Sequence, residues 1–510
     1  MKIKPSTLRH TLILGLLTFI SVAGYLWISE SYYRAGFPLD DAWIHQTYAR
    51  NLANTGQWAF LPGQPSAGST APLWSLLLAI GHLISLPQLW TYFLGWALLW
   101  SLTSNGYLGF QQLAPGKVNW AIWAGVFLGL EWHLVWAAAS GMETLLFAWL
   151  VLLVLWLLVT VERKRHDQQI SQLDGLQTEL WVWLGIGALV GLSGWVRPDG
   201  ITLLGPILFA IVLMERKIPR ILRIAIILFA GFLVIFGPYL VFNRVLAGAW
   251  WPNTFYAKQA EYRIYQEIPF VMRLIEQFQL PLIGAGIMLL PGFIFQLASA
   301  LRERHWAVLA GGLWIGSFLA LYAWRLPVIY QHGRYVIPVM PVYYLWGLAG
   351  TVRILEIHTN QFWLRILSRF WVISTGVVLL IFWGLGARAY ALDVGVIESE
   401  WVESARWVAA NTEPGALIAT HDIGALGYFG ERNLLDLAGL ISPEVIPIIR
   451  DERALQSYLD RNQADYLVTL PSWYPELSSR GSLVYQGDSP IAEQLAAEHL
   501  AVYRWLTTQK

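Results

Sequence analysis

The chain has 510 residues, of which 56% are hydrophobic and only 13% are charged. A soluble domain carries about 25% charged residues, so this composition indicates a polytopic membrane protein. The formal net charge of +1 argues against a nucleic-acid-binding surface, and the absence of cysteine excludes disulfides, cysteine-ligated zinc and thiol catalysis. Any metal would need Asp, Glu, His or carbonyl oxygens as ligands, which suits a hard divalent cation or zinc.

The first apolar segment, residues 11–29, follows Lys2, Lys4 and Arg9. It is long for a signal peptide, and no small-residue cleavage site follows it. We therefore predict an uncleaved membrane span with a cytoplasmic N-terminus.

The stretch "PLDDAWIHQTYARNL", residues 38–52, comes shortly after this span and places Asp40 beside Asp41. Asp40 can cap a helix at about 42–53, which explains one carboxylate but not two. In such a helix Asp41 and His45 share a face, either as a hydrogen-bonded pair or as half of a metal site. Ionisable side chains at membrane depth are costly and usually mark a functional site.

Basic clusters predict the topology by the positive-inside rule. They place four segments in the cytoplasm: "ERKRH" at 162–166, "ERKIPR" at 215–220, "LRERH" at 301–305, and the group Arg353, Arg365 and Arg369. Apolar segments between them predict spans near 119–137, 143–161, 179–196, 200–214, 221–241, 281–300, 306–323, 336–352 and 370–388. The stretch 71–113 must cross an odd number of times, although it contains two plausible spans. The total is about 11–13 spans at roughly 20 residues each.

The character of the chain changes near residue 390. The runs "ALIATHDIGALGYFG", "RNLLDLAGL" and "ADYLVTLPSWYPEL" are short and apolar and lie between turn-rich stretches. This pattern predicts a small α/β domain at 391–510, which follows a transmembrane module at 1–390 and lies outside the cytoplasm. Within it, His421 and Asp422 are interpreted as parts of a buried strand and turn.

The predicted outside loops carry the remaining unusual polar residues. These are Glu143 in "SGMET", Arg197 and Asp199 in "RPDG", Asn253, Tyr256 and Lys258 in "PNTFYAK", and His332 and Arg334 in "YQHGRY". Structural alternatives exist for several of them: a first-turn acid for Glu143, a local ion pair in "RPDG", and snorkelling cations for Lys258 and Arg334. Chemically, the carboxylates can serve as a general base or as metal ligands, and the cations can bind phosphate.

The run "LDDAWIHQTYARNLANTGQWAFLPGQPSAGSTAPLWSLLLA" resembles the first extracytoplasmic loop of GT-C glycosyltransferases, which use polyprenyl-phosphate sugars. "SGMET", "RPDG", "PNTFYAK" and "HGRYVIPVMP" resemble later motifs of that group in the same order, with mycobacterial arabinofuranosyltransferases the nearest in wording. "ATHDIGALGYFGERNLLDLAGLISPEV" resembles the ectodomain of such bacterial proteins. The resemblance covers most of the chain and implies a GT-C-like helical membrane fold.

The resemblance implies an inverting transfer from a polyprenyl-phosphate sugar to an extracytoplasmic glycan, lipid or protein acceptor in the cell membrane. It assigns the base to Asp40, with Asp41 as its partner or as a metal ligand. Arg334 and Lys258, with Arg197 and His332, would bind the donor phosphate. A divalent metal is an option, with Asp41 and His45 as its candidate ligands. Two other functions stay open: a transporter or flippase of lipid-linked sugars, and a non-catalytic scaffold whose ectodomain binds a partner.

Overall fold

The computed structural model describes residues 5–166, 174–357 and 362–506. Most of the chain is helical. The helices of the first half are Pro5–Tyr32, Asp40–Thr55, Pro72–Leu83, Pro87–Leu113, Val118–Leu130, Trp132–Ala139, Thr144–His166, Asp174–Val196, Leu204–Met214 and Ile218–Ala247. Those of the second half are Asn253–Glu261, Phe270–Gln279, Gly286–Glu303, Trp306–Arg325, Tyr330–Gly333, Met340–Ile357, Phe362–Val396, Glu403–Asn411, Gly424–Phe429, Glu452–Arg461, Pro475–Ser478 and Pro490–Gln494. Short 3₁₀ turns cover Pro198–Leu203, Tyr262–Glu267, Leu280–Leu282, Ile337–Val339 and Pro443–Ile448, and a π-turn covers Ile397–Val402.

Within the described residues, seven helices are long and apolar enough to cross a membrane, or nine if two bent pairs each count as one span. The bent pairs are Val118–Leu130 with Trp132–Ala139 and Phe270–Leu282 with Gly286–Glu303. The predicted polytopic helical architecture is confirmed. The larger expected count included the segments 72–83 and 198–214, which form helices shorter than a span. The uncharged helix Pro87–Leu113 is long enough to cross a membrane. It is not among the seven because its Trp, Tyr, Ser and Gln side chains lower its mean hydropathy.

The stretch 71–113 therefore holds one short helix and one long helix, Pro72–Leu83 and Pro87–Leu113. A single long helix is compatible with the odd number of crossings that the flanking charges require. Two spans of the bundle form its interior, since 94% of the most apolar 18-residue window of Tyr330–Glu356 and 72% of that of Thr144–Arg165 are buried. The spans outside them expose large apolar side chains such as Trp27 and Val245, which suits contact with lipid.

The C-terminal part forms the predicted small α/β unit, around a five-stranded sheet. Two short strands, β1 (Ala59–Leu61) and β2 (Gln64–Pro65), pair in the first loop, and the sheet itself contains β3 (Leu417–Thr420), β4 (Asn433–Asp436), β5 (Tyr466–Thr469), β6 (Ser482–Gln486) and β7 (Ala501–Arg504). The order is β4-β3-β5-β7-β6. β3 runs parallel to β4 and β5, with Thr420 opposite both Asp436 and Val468, whereas β7 is antiparallel to β5 and β6. The division of the chain at residue 390 stays a prediction.

The sheet packs on the helical bundle through one face. Apolar residues of β3, β4 and β5 belong to the same buried cluster as the membrane helices, whereas a separate small core lies between the other face and the helix Glu452–Arg461. The loop helix, Asp40–Thr55, lies at this junction and contacts the helix Gly424–Phe429. The first loop and the sheet domain therefore meet at one end of the bundle.

A left-handed turn lies at the start of the interior span Tyr330–Glu356. Gln331, His332 and Gly333 have φ angles of 52°, 57° and 67°. Two non-glycine residues in this conformation cost roughly 1–2 kcal/mol each, so the surrounding contacts must hold them. His332 Nε2 lies 2.8 Å from Asp393 Oδ2, and the hydroxyl of Tyr330 bonds to that of Tyr262. The turn directs the next residue, Arg334, into the bundle.

The helices Asp174–Val196 and Ile218–Ala247 approach closely through glycines. A Cβ atom at Gly187 would lie 2.0 Å from the carbonyl oxygen of Leu228, and one at Gly231 would lie 2.1 Å from that of Leu184. Small residues allow such contact between membrane helices, where van der Waals packing stabilises the association.

We expect Gly187→Ala to lower the melting temperature of the detergent-solubilised protein, because the added methyl must push two backbones apart at a cost of about 1–3 kcal/mol. Gly185→Ala is the matched control, since a Cβ there meets nothing within 4 Å. Differential scanning fluorimetry measures both variants. Equal melting temperatures for the two would contradict the close helix contact.

Candidate active site

The two carboxylates of the first loop face different partners. Asp40 and Asp41 are the first two residues of the loop helix. Consecutive residues of an α-helix point about 100° apart, so the pair cannot act on one group from the same direction. The structure places Asp40 against the sheet domain and Asp41 against two cations of the bundle.

Asp41 forms an ion-pair cluster with Arg334 and Lys258. Its Oδ2 atom lies 2.5 Å from Arg334 Nη2 and 3.7 Å from Lys258 Nζ. Both cations also donate to the hydroxyl of Tyr335, Lys258 at 2.7 Å and Arg334 at 3.0 Å. The sequence therefore predicted three members of this cluster, and Tyr335 is the fourth.

The cluster controls the charge of its members. Burial alone would raise the pKa of Asp41, but the positive charges of Arg334 and Lys258 outweigh it and hold that pKa well below its usual range. Burial would lower the pKa of Lys258, yet the neighbouring Tyr335 and Asp41 raise it above its ordinary value. Asp41 is thus a carboxylate and Lys258 an ammonium at neutral pH.

Arg334 has unused hydrogen-bonding capacity. Its side chain is only 6% exposed. Although Nη2 bonds to Asp41 and Tyr335, the buried Nε and Nη1 groups find no acceptor among the described residues. A buried donor on a charged group without an acceptor is costly, and a ligand oxygen would relieve that cost. The guanidinium is therefore arranged to receive an anion.

Two cavities meet at this cluster, since both are lined by Asp41, Ile44, Lys258, Arg334 and Leu440. The bundle cavity has a volume of ≈ 320 Å³. Its apolar walls come from Leu321 of the span Trp306–Arg325 and from residues outside the spans, which are Met142, Ile201, Trp251, Phe255 and Leu326. The domain cavity has a volume of ≈ 750 Å³ and extends under the sheet domain, with walls that include Asp393, Trp401, His421, Asp422 and Trp473. The cluster thus forms the boundary between two cavities, of which the domain cavity is the more polar.

A buried contact between His45 and Glu143 lies beside Asp41 in the bundle cavity. His45 Nε2 is 3.5 Å from Glu143 Oε2, and His45 Nδ1 is 3.1 Å from the hydroxyl of Ser75. Burial would raise the pKa of Glu143, but the hydrogen bond to His45 and the charge of Arg197 hold it below its usual value. The hydrogen-bonded pair expected between Asp41 and His45 does not form, because each side chain takes other partners.

Arg197 and Asp199 form the local ion pair that was one interpretation of "RPDG". Arg197 donates through Nε and Nη2 to the two carboxylate oxygens of Asp199, at 3.2 and 3.0 Å, and Tyr322 bonds to both residues. Both side chains line the bundle cavity. Arg197 and Asp199 together carry no net charge, whereas Arg334, Lys258 and Asp41 together carry one positive charge, so the second group attracts an anion more strongly.

Asp40 connects the loop helix to the sheet domain. Its Oδ2 and Oδ1 atoms accept hydrogen bonds from the backbone N–H groups of Gly424 and Ala425, both at 2.7 Å. Burial, and next the negative charge of Asp422, raise the pKa of Asp40 well above its usual range, although the two N–H groups oppose this. A Cβ at Gly424 would lie 2.0 Å from the carbonyl oxygen of Asp40, so only glycine fits this contact.

Three predicted site residues lie apart from the cluster. Asn253 donates to the carbonyl oxygen of Leu440 and so connects the bundle to the sheet domain, and the exposed Tyr256 packs on Phe255. His332 bonds to Asp393 in the left-handed turn. Asn253, Tyr256 and His332 are not among the described residues that line either cavity.

The metal site that the sequence left open has no ligand cluster. Among the described residues, no three His, Asp or Glu side chains lie close enough together to hold a metal ion. The two candidate ligands also point to different partners, Asp41 to the cations and His45 to Glu143 and Ser75. These residues do not fit a metal, and no reaction step is assigned to one.

Sequence reasoning missed part of the domain cavity. His421 and Asp422 were interpreted as buried structure only, yet both line this cavity together with Glu261. They follow the end of β3, and the signal that was available is their position after a predicted strand, where side chains of parallel sheets commonly meet ligands. Glu261 gave no such signal, because its role depends on a contact between the bundle and the sheet domain.

Comparison with known proteins identifies the fold. Residues 392–507 match a family described as "Domain of unknown function (DUF8728)", and no protein in the curated set matches the chain. Among solved structures, the chain is similar to ArnT from Cupriavidus metallidurans bound to undecaprenyl phosphate, with a TM-score of 0.60, 14% identity, and coverage of 96% of this chain and 97% of that one.

Two further solved structures are also similar to this chain. The archaeal oligosaccharyltransferase AglB from Archaeoglobus fulgidus, in complex with an inhibitory peptide and a dolichol-phosphate, gives a TM-score of 0.61 at 11% identity over 91% of this chain and 69% of that one. The arabinofuranosyltransferase AftD from Mycobacteria gives 0.51 at 16% identity over 96% of this chain and 41% of that one. The likeness extends over nearly the whole chain, so the predicted GT-C fold is confirmed.

Proposed function

We propose that this protein is a membrane glycosyltransferase that moves a sugar from a polyprenyl-phosphate donor to an acceptor hydroxyl outside the cytoplasm. The observation that carries the proposal is the buried Arg334, which is paired with Asp41 and has two further N–H groups without an acceptor among the described residues. A guanidinium with this capacity, beside the ammonium of Lys258, suits a phosphate. Fold alone does not imply function, so the proposal depends on this site.

The bundle cavity supports a lipid-borne donor. Its surface is mostly apolar, Leu321 of the span Trp306–Arg325 contributes to it, and it ends at the cationic cluster. An isoprenoid chain can occupy such apolar space while its phosphate contacts Arg334 and Lys258. The structural relatives bound to undecaprenyl phosphate and to dolichol-phosphate support the same class of ligand for this chain.

Between the two acids, we assign the general base to Asp41 rather than to Asp40. Both carboxylate oxygens of Asp40 accept backbone N–H groups of the sheet domain, and Asp40 lines the domain cavity but not the bundle cavity that ends at the phosphate-binding cations. Asp41 is 29% exposed at its side chain and lines both cavities, so it can face a donor and an acceptor together. Asp40 then positions the sheet domain over the site.

The proposed step is an inverting displacement at the anomeric carbon. The acceptor oxygen forms a bond to that carbon and its proton passes to the carboxylate of Asp41. The bond from the carbon to the phosphate oxygen breaks, and the polyprenyl phosphate leaves with an additional negative charge. Arg334 and Lys258 stabilise that charge as it develops, which is the type of interaction that accelerates a reaction most.

Donor binding also prepares the base. With no ligand, the two cations hold the pKa of Asp41 far below neutrality, which makes it a weak base. A bound phosphate competes for the same cations and adds negative charge nearby, so the pKa of Asp41 rises toward the range useful for proton transfer. The enzyme is therefore expected to activate its base only when the donor is present.

We propose further that the protein lies in the cell membrane as a multi-pass protein with its N-terminus in the cytoplasm. Residues 1–390 would form the catalytic module, and residues 391–510 would cover its extracytoplasmic end. The contacts from Asp40 to Gly424 and from Asn253 to Leu440 support this arrangement, because they attach the sheet domain at the end of the bundle that contains the site.

We expect Asp41→Asn to lower transfer by about 10²–10⁴-fold, because removing a general base costs that much. The assay supplies purified protein with a panel of polyprenyl-phosphate-linked sugars and glycan, lipid and peptide acceptors, each with and without EDTA. Glu476→Gln is the control, since this exposed carboxylate of the sheet domain lies outside both cavities.

Full turnover by Asp41→Asn would show that Asp41 is not the base. No turnover with any donor, together with movement of lipid-linked sugar across vesicles containing the purified protein, would favour a flippase instead.

A separate prediction concerns the attachment of the sheet domain. We expect Gly424→Ala to detach this domain, because its methyl group would collide with the backbone of Asp40. Limited proteolysis should then cleave between the bundle and the domain several times faster. Gly415→Ala is the control, since a Cβ there meets nothing within 4 Å. Unchanged cleavage in Gly424→Ala would contradict the role of Asp40 as the attachment point.

A further inference from the structure

The domain cavity lies at a position where α/β sheets commonly bind ligands. In the parallel part of the sheet, β4 and β5 lie on opposite sides of β3, so the chain changes direction next to β3. Ligands of such sheets bind at this point, outside the carboxyl ends of the strands. His421 follows β3, Ala438 follows β4 and Trp473 follows β5, and all three line the cavity.

Aromatic side chains form one wall of this cavity. Trp473 is 46% exposed, which is unusual for so large an apolar side chain. The ring of His421 packs edge-on against it, with centroids 5.1 Å apart and planes at 75°. His421 Nδ1 lies 2.8 Å from the hydroxyl of Tyr474, and His421 Nε2 lies 3.5 Å from Glu261 Oε1. These contacts fix the orientation of His421 beside an open indole face.

Carboxylates supply the polar groups of the cavity. Asp422 lines the cavity, and its Oδ2 atom accepts a hydrogen bond at 2.8 Å from the indole Nε1 of Trp401, which fixes the position of the carboxylate. Beyond the Asp41 cluster, the lining carries more acids than bases: Asp40, Asp393, Asp422, Glu261 and Glu452 against Arg450 and His421. An anionic ligand would be repelled by this lining.

From this combination, we infer that the domain cavity is the acceptor site and that it binds a neutral saccharide, whose ring stacks on Trp473 and whose hydroxyls donate to Asp422. The C–H face of a sugar is apolar and suits the negative face of an indole, and hydrogen bonds from hydroxyls to carboxylates are strong. The cavity opens on Asp41, so a stacked saccharide can present a further hydroxyl to the proposed base. The saccharide would be the acceptor of the proposed transferase, so its role as an acceptor rests on that proposed function.

The test measures binding in the absence of donor, so it does not depend on transfer. Saturation-transfer-difference NMR on the full-length protein in detergent uses neutral trisaccharides of mannose, glucose and arabinofuranose, with trigalacturonic acid and an uncharged hexapeptide as alternatives. We expect at least one neutral trisaccharide to bind, and Trp473→Ala to weaken its binding by about tenfold through loss of the stacked ring. Trp473→Phe should retain most of the binding, and Asp422→Asn should weaken it.

Leu483→Ala serves as the control, because Leu483 is an exposed side chain of the same domain that does not line the cavity. Unchanged saccharide binding in Trp473→Ala would overturn the inference. Binding of the hexapeptide or the uronate alone, or of no trisaccharide, would also overturn it. If saccharide binding depends on Trp473 but the protein transfers sugar from no donor, the saccharide site is supported and the transferase proposal is rejected.

Discussion

The buried ion pair between Asp41 and Arg334 is the interaction on which the rest of the site depends. A guanidinium taken out of water loses hydration worth several kcal/mol unless charge and hydrogen bonds replace it. Asp41 supplies one partner at 2.5 Å and Tyr335 a second, but Nε and Nη1 find none among the described residues. The pair is therefore stable enough to exist without ligand, yet it leaves capacity that an anion can fill.

Three structural features serve this pair. The left-handed turn at Gln331 to Gly333 directs Arg334 inward, and the bond between His332 and Asp393 holds that turn in its unfavourable backbone conformation. The loop helix places Asp41 opposite the arginine, and Asp40 fixes that helix to the sheet domain. As a result, the bundle cavity and the more polar domain cavity open on the same carboxylate.

The sequence predicted the helical membrane fold, the small α/β unit and three members of the charged cluster, because hydropathy, strand patterns and rare intramembrane charges are local signals. The division of labour between Asp40 and Asp41 could not be predicted, since it depends on the distant backbone of Gly424. His332 looked like a phosphate ligand beside Arg334, but the positive φ of the turn directs it to Asp393 instead. The number of 11–13 spans stays a prediction, because hydropathy alone does not distinguish crossings from short apolar helices such as Pro72–Leu83.

The most direct measurement of the central claim is the binding of undecaprenyl phosphate to the purified protein by native mass spectrometry. Wild-type protein should bind one lipid phosphate, and Arg334→Gln should weaken that binding by about tenfold to a hundredfold, because charged hydrogen bonds are lost. Arg244→Gln, at an exposed arginine near the end of the helix Ile218–Ala247, should bind as the wild type does. Equal affinity in wild type and Arg334→Gln would contradict the assignment of this cluster as the phosphate site.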